Sequence, residues 1–334
     1  MTLNPMARGR RATGFAIVLA ATVVASGAAP AQDASDYPNK TVSFIVPYAP
    51  GGGTDIYARM LAEELRTQLK QPFVIENKPG AATAIAAAAV SKAEPDGYTI
   101  MMGSSTTLAM NPALYNKLSY DPNDLAPIGL VGAAYFVLVA NPSVPAKTLP
   151  ELIAYIKSKP GELSFGTSGA GTPHHLFMEM FMSMTGTKMQ HVPYKGSVPA
   201  LTDVLSGQIP LMIVDLTPAL QFIQEGKIRA FGLTGSSRVK TAPDIPTLAE
   251  AGLPGYSGQG WFGLVTKAGT PKPVIDKING VVKAYIEKKE TQDKLYAIGI
   301  QPIAGTPAEF AKFIPAEQKK WSKVIADANI KKMN

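Results

Sequence analysis

The sequence contains no cysteine. Disulfides, thiolate metal sites, cysteine nucleophiles and thiol redox chemistry are all excluded, so stability must come from a buried core. Histidine is nearly as scarce, with three in 334 residues. His174 and His175 are adjacent and would diverge by about 100° on a helix. His175 and Glu179, one helical turn apart, supply only two ligands, so no metal site is expected. Charged residues make up just 17% of the chain, and no basic stripe interleaved with aromatics marks a nucleic-acid partner. Beyond the N-terminal leader, no segment is apolar enough to span a bilayer.

What the sequence does have is apolar residues, at 46%, and a length that suits about two domains of roughly 100–200 residues each. The N-terminus reads as an export signal. Arg8, Arg10 and Arg11 precede an Ala-rich apolar stretch, and Ala29-Pro30-Ala31 fits a small-x-small cleavage site, giving a signal peptide over residues 1–31. Those arginines also carry part of the formal charge of +7. The remaining basicity is spread over C-terminal faces such as "EQKKW" and "IKKMN".

After the leader, strand and helix patterns alternate. "TVSFIVPY" is an apolar strand, and "DIYARMLAEELRTQL" follows with Leu61, Leu65 and Leu69 on one helical stripe. "FVIEN" and "YTIMMG" continue as strands around an Ala-rich helix. A second α/β unit runs from "ELIAYIKSK" to "IRAFGLTG", and the C-terminal remainder is helical. Such β-α-β runs imply parallel sheets covered on both faces. The second unit is flanked by "YFVLVANP" and "GQGWFGLVTK". These predict two crossover strands forming a hinge, with lobe 1 over 37–138 and 262–334, lobe 2 over 139–261, and a ligand cleft between them.

Enzymatic signatures fail on named residues. No lysine follows Gly51–Gly53 to meet a phosphate, and Ile56 stands where a dinucleotide fingerprint needs its third glycine. "GTSGA", around Ser168, is one residue short of a nucleophile elbow, and no histidine follows Asp215 in the order such hydrolases use. No catalytic residue and no cofactor are expected, and a Ser168-dependent hydrolase remains only as an alternative of another class.

The remaining signal is a set of glycine-, serine- and threonine-rich helix starts at strand ends: Gly51–Asp55, Gly103–Thr107, Gly166–Pro173, Pro193–Pro199 and Asp215–Pro218. Unpaired N–H groups and a partial positive charge at such ends favour an anion. Charge-assisted hydrogen bonds to an ionised oxygen contribute about 1.5–3 kcal/mol each, enough for two ends to hold a carboxylate without an arginine. The expected chemistry is capture of a carboxylate, not its conversion.

The stretches "VPYAPGGGTDIYARMLAEEL", "PDGYTIMMGSSTTLAMNPALY", "LSFGTSGAGTPHHLFMEMF" and "HVPYKGSVPALTDVLSGQIPLMIVD" resemble the tripartite tricarboxylate transporter receptors, the Bug-type periplasmic solute-binding proteins. The resemblance implies a type II Venus-flytrap fold, a periplasmic monomer, capture of a small organic mono- or dicarboxylate, and delivery to membrane permease subunits. Presentation to a membrane signalling kinase is the alternative. Carried over by position, the first binding loop is Ala49, Pro50, Gly51, Gly52, Gly53, Thr54 and Asp55, with the Tyr48 hydroxyl in reach of the cleft. The second is Ser104, Ser105 and Thr106. The turn before the His-His helix supplies Ser168, Gly169, Ala170, Gly171 and Thr172, with His174 lining the cleft. Tyr194, Lys195 and Gly196 form a further motif, in which Lys195 is either a ligand contact or a solvated side chain, and Asp215 ends the next strand. Phe136 is expected near the pocket wall. Where the family often has a second glycine pair, this chain reads Ala81-Ala82-Thr83, which lowers the expectation of a contact from that loop.

Overall fold

The computed structural model describes residues 36–333. The expected leader, residues 1–31, lies outside them. Two mixed sheets are covered by helices, one sheet to each lobe. In lobe 1, β1 (Val42–Val46), α1 (Gly53–Leu69), β2 (Phe73–Asn77), α2 (Ala84–Ser91) and β3 (Thr99–Ser104) follow the alternating pattern. β1 pairs in parallel with both β2 and β3. A π-helical turn over Thr106–Met110 runs into the short α3 (Asn111–Leu114).

The long strand β4 (Leu125–Ala134) leads at once into β5 (Phe136–Ala140), which belongs to the other sheet. Lobe 2 continues with α4 (Leu149–Lys157), β6 (Ser164–Thr167), α5 (Pro173–Thr185), β7 (Gln190–Pro193), α6 (Ser197–Ser206), β8 (Leu211–Asp215), α7 (Leu216–Gln224) and β9 (Arg229–Leu233). The chain returns through β10 (Gly260–Lys267) and adds α8 (Lys272–Glu287), α9 (Lys289–Ala297), β11 (Ile300–Pro302) and α10 (Pro307–Asp327). Strand order is β11-β4-β10-β3-β1-β2 in lobe 1 and β7-β6-β8-β5-β9 in lobe 2.

The passage between sheets departs from the sequence boundaries. β5 pairs only with β8 and β9, so the outward passage falls at Tyr135, and a boundary at 138/139 would divide a lobe 2 strand. β10 pairs with β3 and β4 from Gly260 onward, so the return precedes residue 262. β4 itself is not evident in the sequence, because Pro127, Gly129 and Gly132 interrupt its apolar pattern. The glycines are there for close packing: a Cβ on Gly129 would lie 2.4 Å from the Asn279 amide, and one on Gly132 would lie 2.8 Å from Ile300. β11 falls in the segment read as wholly helical.

The C-terminal helices do not all stay on lobe 1. α8 packs on α1 and β4, but α10 reaches from β4 to α5 of lobe 2. Trp321 of α10 stacks on Phe177 of α5 at 5.5 Å, and Phe177 meets Phe136 edge-on at 5.1 Å. The Trp261 and Trp321 indole N–H groups both donate to Glu317, at 2.9 and 3.3 Å, and Lys320 pairs with the same carboxylate at 2.6 Å. A buried acid is costly unless hydrogen-bonded and paired, and these contacts satisfy Glu317. The result is one apolar cluster that extends through both lobes.

Candidate functional site

Strand ends and helix starts from both lobes converge on a cavity of about 760 Å³, within the range of roughly 300–1,000 Å³ usual for small-molecule pockets. Lobe 1 contributes the loop before α1. Gly52 is the helix N-cap and Gly53 its first residue, so the first-turn amides open toward the cavity, which Ala49, Gly52, Gly53 and Thr54 line. Asp55 does not line it. Its buried carboxylate accepts from the Gly51 amide at 2.9 Å, from Arg59 at 2.9 and 3.1 Å and from Asn77 at 2.8 Å. Burial works against ionisation, but these bonds and the Arg59 charge outweigh it and hold the carboxyl at about 2. Asp55 thus fixes the shape of the loop. Gly51, with φ of +87°, makes its turn, and neither Gly51 nor Pro50 lines the cavity.

The end of β3 brings Ser104, Ser105 and Thr106 to the same wall beside Tyr48. Burial raises the Tyr48 phenol against hydrogen bonds to Ser104 and Thr106, and the charge of Asp215 on the other lobe adds to the rise. The Ala81–Thr83 loop, discounted in the sequence, also reaches the cavity, through Pro79, Gly80, Ala82 and Thr83. It adopts left-handed backbone without glycine, with φ of 45°, 46° and 75° at Ala81, Ala82 and Thr83. Thr107 holds it through Thr83 Oγ1 at 2.8 Å, and the Asn111 amide donates to the Ala82 carbonyl at 2.7 Å.

Lobe 2 presents side chains. Ser168 Oγ lies 2.8 Å from His174 Nδ1, and His174 Nε2 lies 3.1 Å from Asp215 Oδ2. All three line the cavity with Thr172, Ser197 and Thr217. His174 is buried edge-on against Phe136, at 5.2 Å between rings. Burial disfavours the Asp215 carboxylate, but the facing His174 and the His174 and Ser197 hydrogen bonds outweigh it, leaving its carboxyl below the ordinary range.

Of the remaining lobe 2 candidates, Thr172 lines the cavity but spends its hydroxyl on the turn. Thr172 Oγ1 donates to the Gly169 carbonyl at 2.7 Å, and the Gly171 amide donates to His175 Nδ1 at 3.2 Å. Gly169, Ala170 and Gly171 therefore shape the turn without lining the cavity. The Tyr194 hydroxyl is committed to Asp203 at 2.5 Å, and Lys195 is exposed; with Gly196, both lie off the cavity.

Several lining residues were not singled out in the sequence. Tyr135, Trp261, Phe262 and the Ala297–Ile300 segment come from the interlobe passages and from the end of α9, while Thr217 lies in the Asp215–Pro218 helix start. A Cβ on Gly299 would lie 1.7 Å from Thr217 Oγ1, so the lobes approach here closely enough to require glycine. Among the described residues lining the cavity there is no lysine or arginine, and Asp215 is the one acid.

A family model described as the tripartite tricarboxylate transporter family receptor matches residues 57–330. The chain belongs to that family. This receptor is 34% identical over 321 residues to BugT of Bordetella pertussis, covering 96% of this chain and 98% of that one. Its fold is similar to an R. palustris protein solved with adipate, at TM-score 0.81 and 35% identity, covering 89% of this chain and all of that one. It is also similar to MatC from Rhodopseudomonas palustris with bound malate, at TM-score 0.75 and 32% identity, covering 86% and 100%. The receptor thus has the two-lobed α/β fold of periplasmic binding proteins, and its family and these neighbours are solute-binding proteins.

Proposed function

We propose that this receptor captures a small organic carboxylate between its lobes in the periplasm and, as a monomer, delivers it unaltered to the permease subunits of a tripartite membrane transporter. The observation that carries this reading is the composition of the cleft. The first-turn amides of α1 and the hydroxyls of Ser104, Ser105 and Thr106 face a cavity that no lysine or arginine lines. Helix-end amides and hydroxyls suit a singly charged carboxylate oxygen pair, whereas a phosphoryl group carries more charge and would call for a cation. The adipate and malate held by two similar structures are of this chemical class. A thermal-shift screen of organic acids tests the reading. A ligand at 100 times its Kd adds about 2.7 kcal/mol of stability, and the reading fails if no carboxylate raises the melting temperature.

One observation favours a second reading. Ser168, His174 and Asp215 form a hydrogen-bonded chain in the order of a hydrolytic triad. The imidazole is turned the other way from the usual triad, with Nδ1 toward the serine and Nε2 toward the acid. Release of acid from an ester panel, abolished by Ser168→Ala, would establish that reading in place of capture.

A further inference from the structure

We propose that the cleft reads hydrogen-bond polarity, and that the solute is a carboxylate carrying a hydroxyl or ammonium donor at its far end rather than a symmetric diacid. This inference rests on the carboxylate-capture reading and names the solute class more narrowly.

The two walls of the cavity are chemically opposite. The lobe 1 wall offers the first-turn amides of α1 as donors, with Tyr48, Ser104 and Thr106 hydrogen-bonded together beside them. The lobe 2 wall offers acceptors. Asp215 meets His174 Nε2 at 3.1 Å, and its carboxyl is held below the ordinary range. A carboxylate has about four acceptor positions, and the Asp215 side chain remains 37% exposed after meeting His174.

The rest of the lining is largely apolar and aromatic, with Tyr135, Phe136, Trp261 and Phe262. A solute held in the cleft thus meets backbone donors, aromatic rings and the Asp215 carboxylate. A second carboxylate reaching the lobe 2 wall would face Asp215 with no lysine or arginine among the lining residues to offset the repulsion. A hydroxyl or ammonium group would be received by a charge-assisted hydrogen bond instead.

The test is calorimetric titration of the receptor with two length-matched sets: adipate against 6-hydroxyhexanoate and 6-aminohexanoate, and terephthalate against 4-hydroxybenzoate and 4-(aminomethyl)benzoate. In at least one set the donor-bearing monoacid is expected to bind about tenfold or more tightly than the diacid. In Asp215→Asn, which keeps the shape and removes the charge, that ratio should fall by about tenfold. Melting curves of the two proteins check that both are folded. If the diacids bind as tightly as their donor-bearing partners, or if Asp215→Asn leaves the ratio unchanged, the inference is overturned while carboxylate capture stands. If none of these acids nor any other carboxylate binds, the capture reading itself falls.

Discussion

Each wall of the cleft carries one aspartate from the sequence candidates, and the two have different roles. Asp55 is only 2% exposed, and its oxygens are taken up by Gly51, Arg59 and Asn77 of its own lobe. Asp215 has His174 and Ser197 as side-chain partners and keeps part of its surface in the cavity. The first uses its charge to fix a loop whose backbone then faces the solute. The second presents its charge directly. The contrast extends to the walls as a whole: lobe 1 works through main-chain geometry, and lobe 2 through a chain of side chains.

Removing the buried acid is the harshest way to break this comparison. Asp55→Ala leaves the Gly51 amide, Arg59 and Asn77 without their acceptor, and should cost about 2–3 kcal/mol of unfolding free energy in urea titrations. The pH profile should change with it. With a folded value near 2 and an ordinary value of 3.8, Asp55 contributes stability above about pH 4 that is lost as pH falls toward 2. That acid-dependent increment should be missing from the variant. If Asp55→Ala melts with the parent across this range, the loop is held by something other than its carboxylate.

The next prediction separates folding from binding on the lobe 1 wall. Gly52 has extended backbone, with φ of −76°, and a Cβ there would find only the Ala49 carbonyl, 4.0 Å away. Valine therefore fits the fold but fills space over the α1 amides. Gly52→Val should change stability by less than about 0.5 kcal/mol and weaken binding of the best carboxylate at least about tenfold. Unchanged affinity would remove these amides from the site.

The residues explain which parts of this architecture the sequence reveals. Apolar runs bounded by turn residues mark β1, β3 and β8, and the 3.6-residue stripe marks α1, because these elements bury one face or both in a simple way. β4 escapes because its glycines answer to Asn279 and Ile300, residues far along the chain. At the site, the glycine-rich motifs hold left-handed backbone at Gly169, Gly171 and Gly196. They do not say whether that freedom serves a solute or only a turn. Trp261 reaches the cleft through the return of the chain between sheets and Gly299 through the turn after α9, which no local pattern encodes. Ser168, His174 and Asp215 were each candidates, but their connection depends on how β8 lies beside α5.

The mildest prediction concerns the non-glycine turn of the lobe 1 wall. Left-handed backbone costs an L-residue roughly 1–2 kcal/mol, and Ala82 adopts it at φ 46° with its carbonyl fixed by Asn111. Glycine removes that strain but loosens the unfolded chain, which returns about 0.4–1 kcal/mol of the gain. Ala82→Gly should therefore raise stability by between zero and about 1.6 kcal/mol, leaving affinity within about twofold because Thr107 and Asn111 still anchor the loop. A loss of stability in that variant would mean that the Ala82 methyl group, and not only its backbone, helps to build the wall, and would weaken the division between a main-chain wall and a side-chain wall.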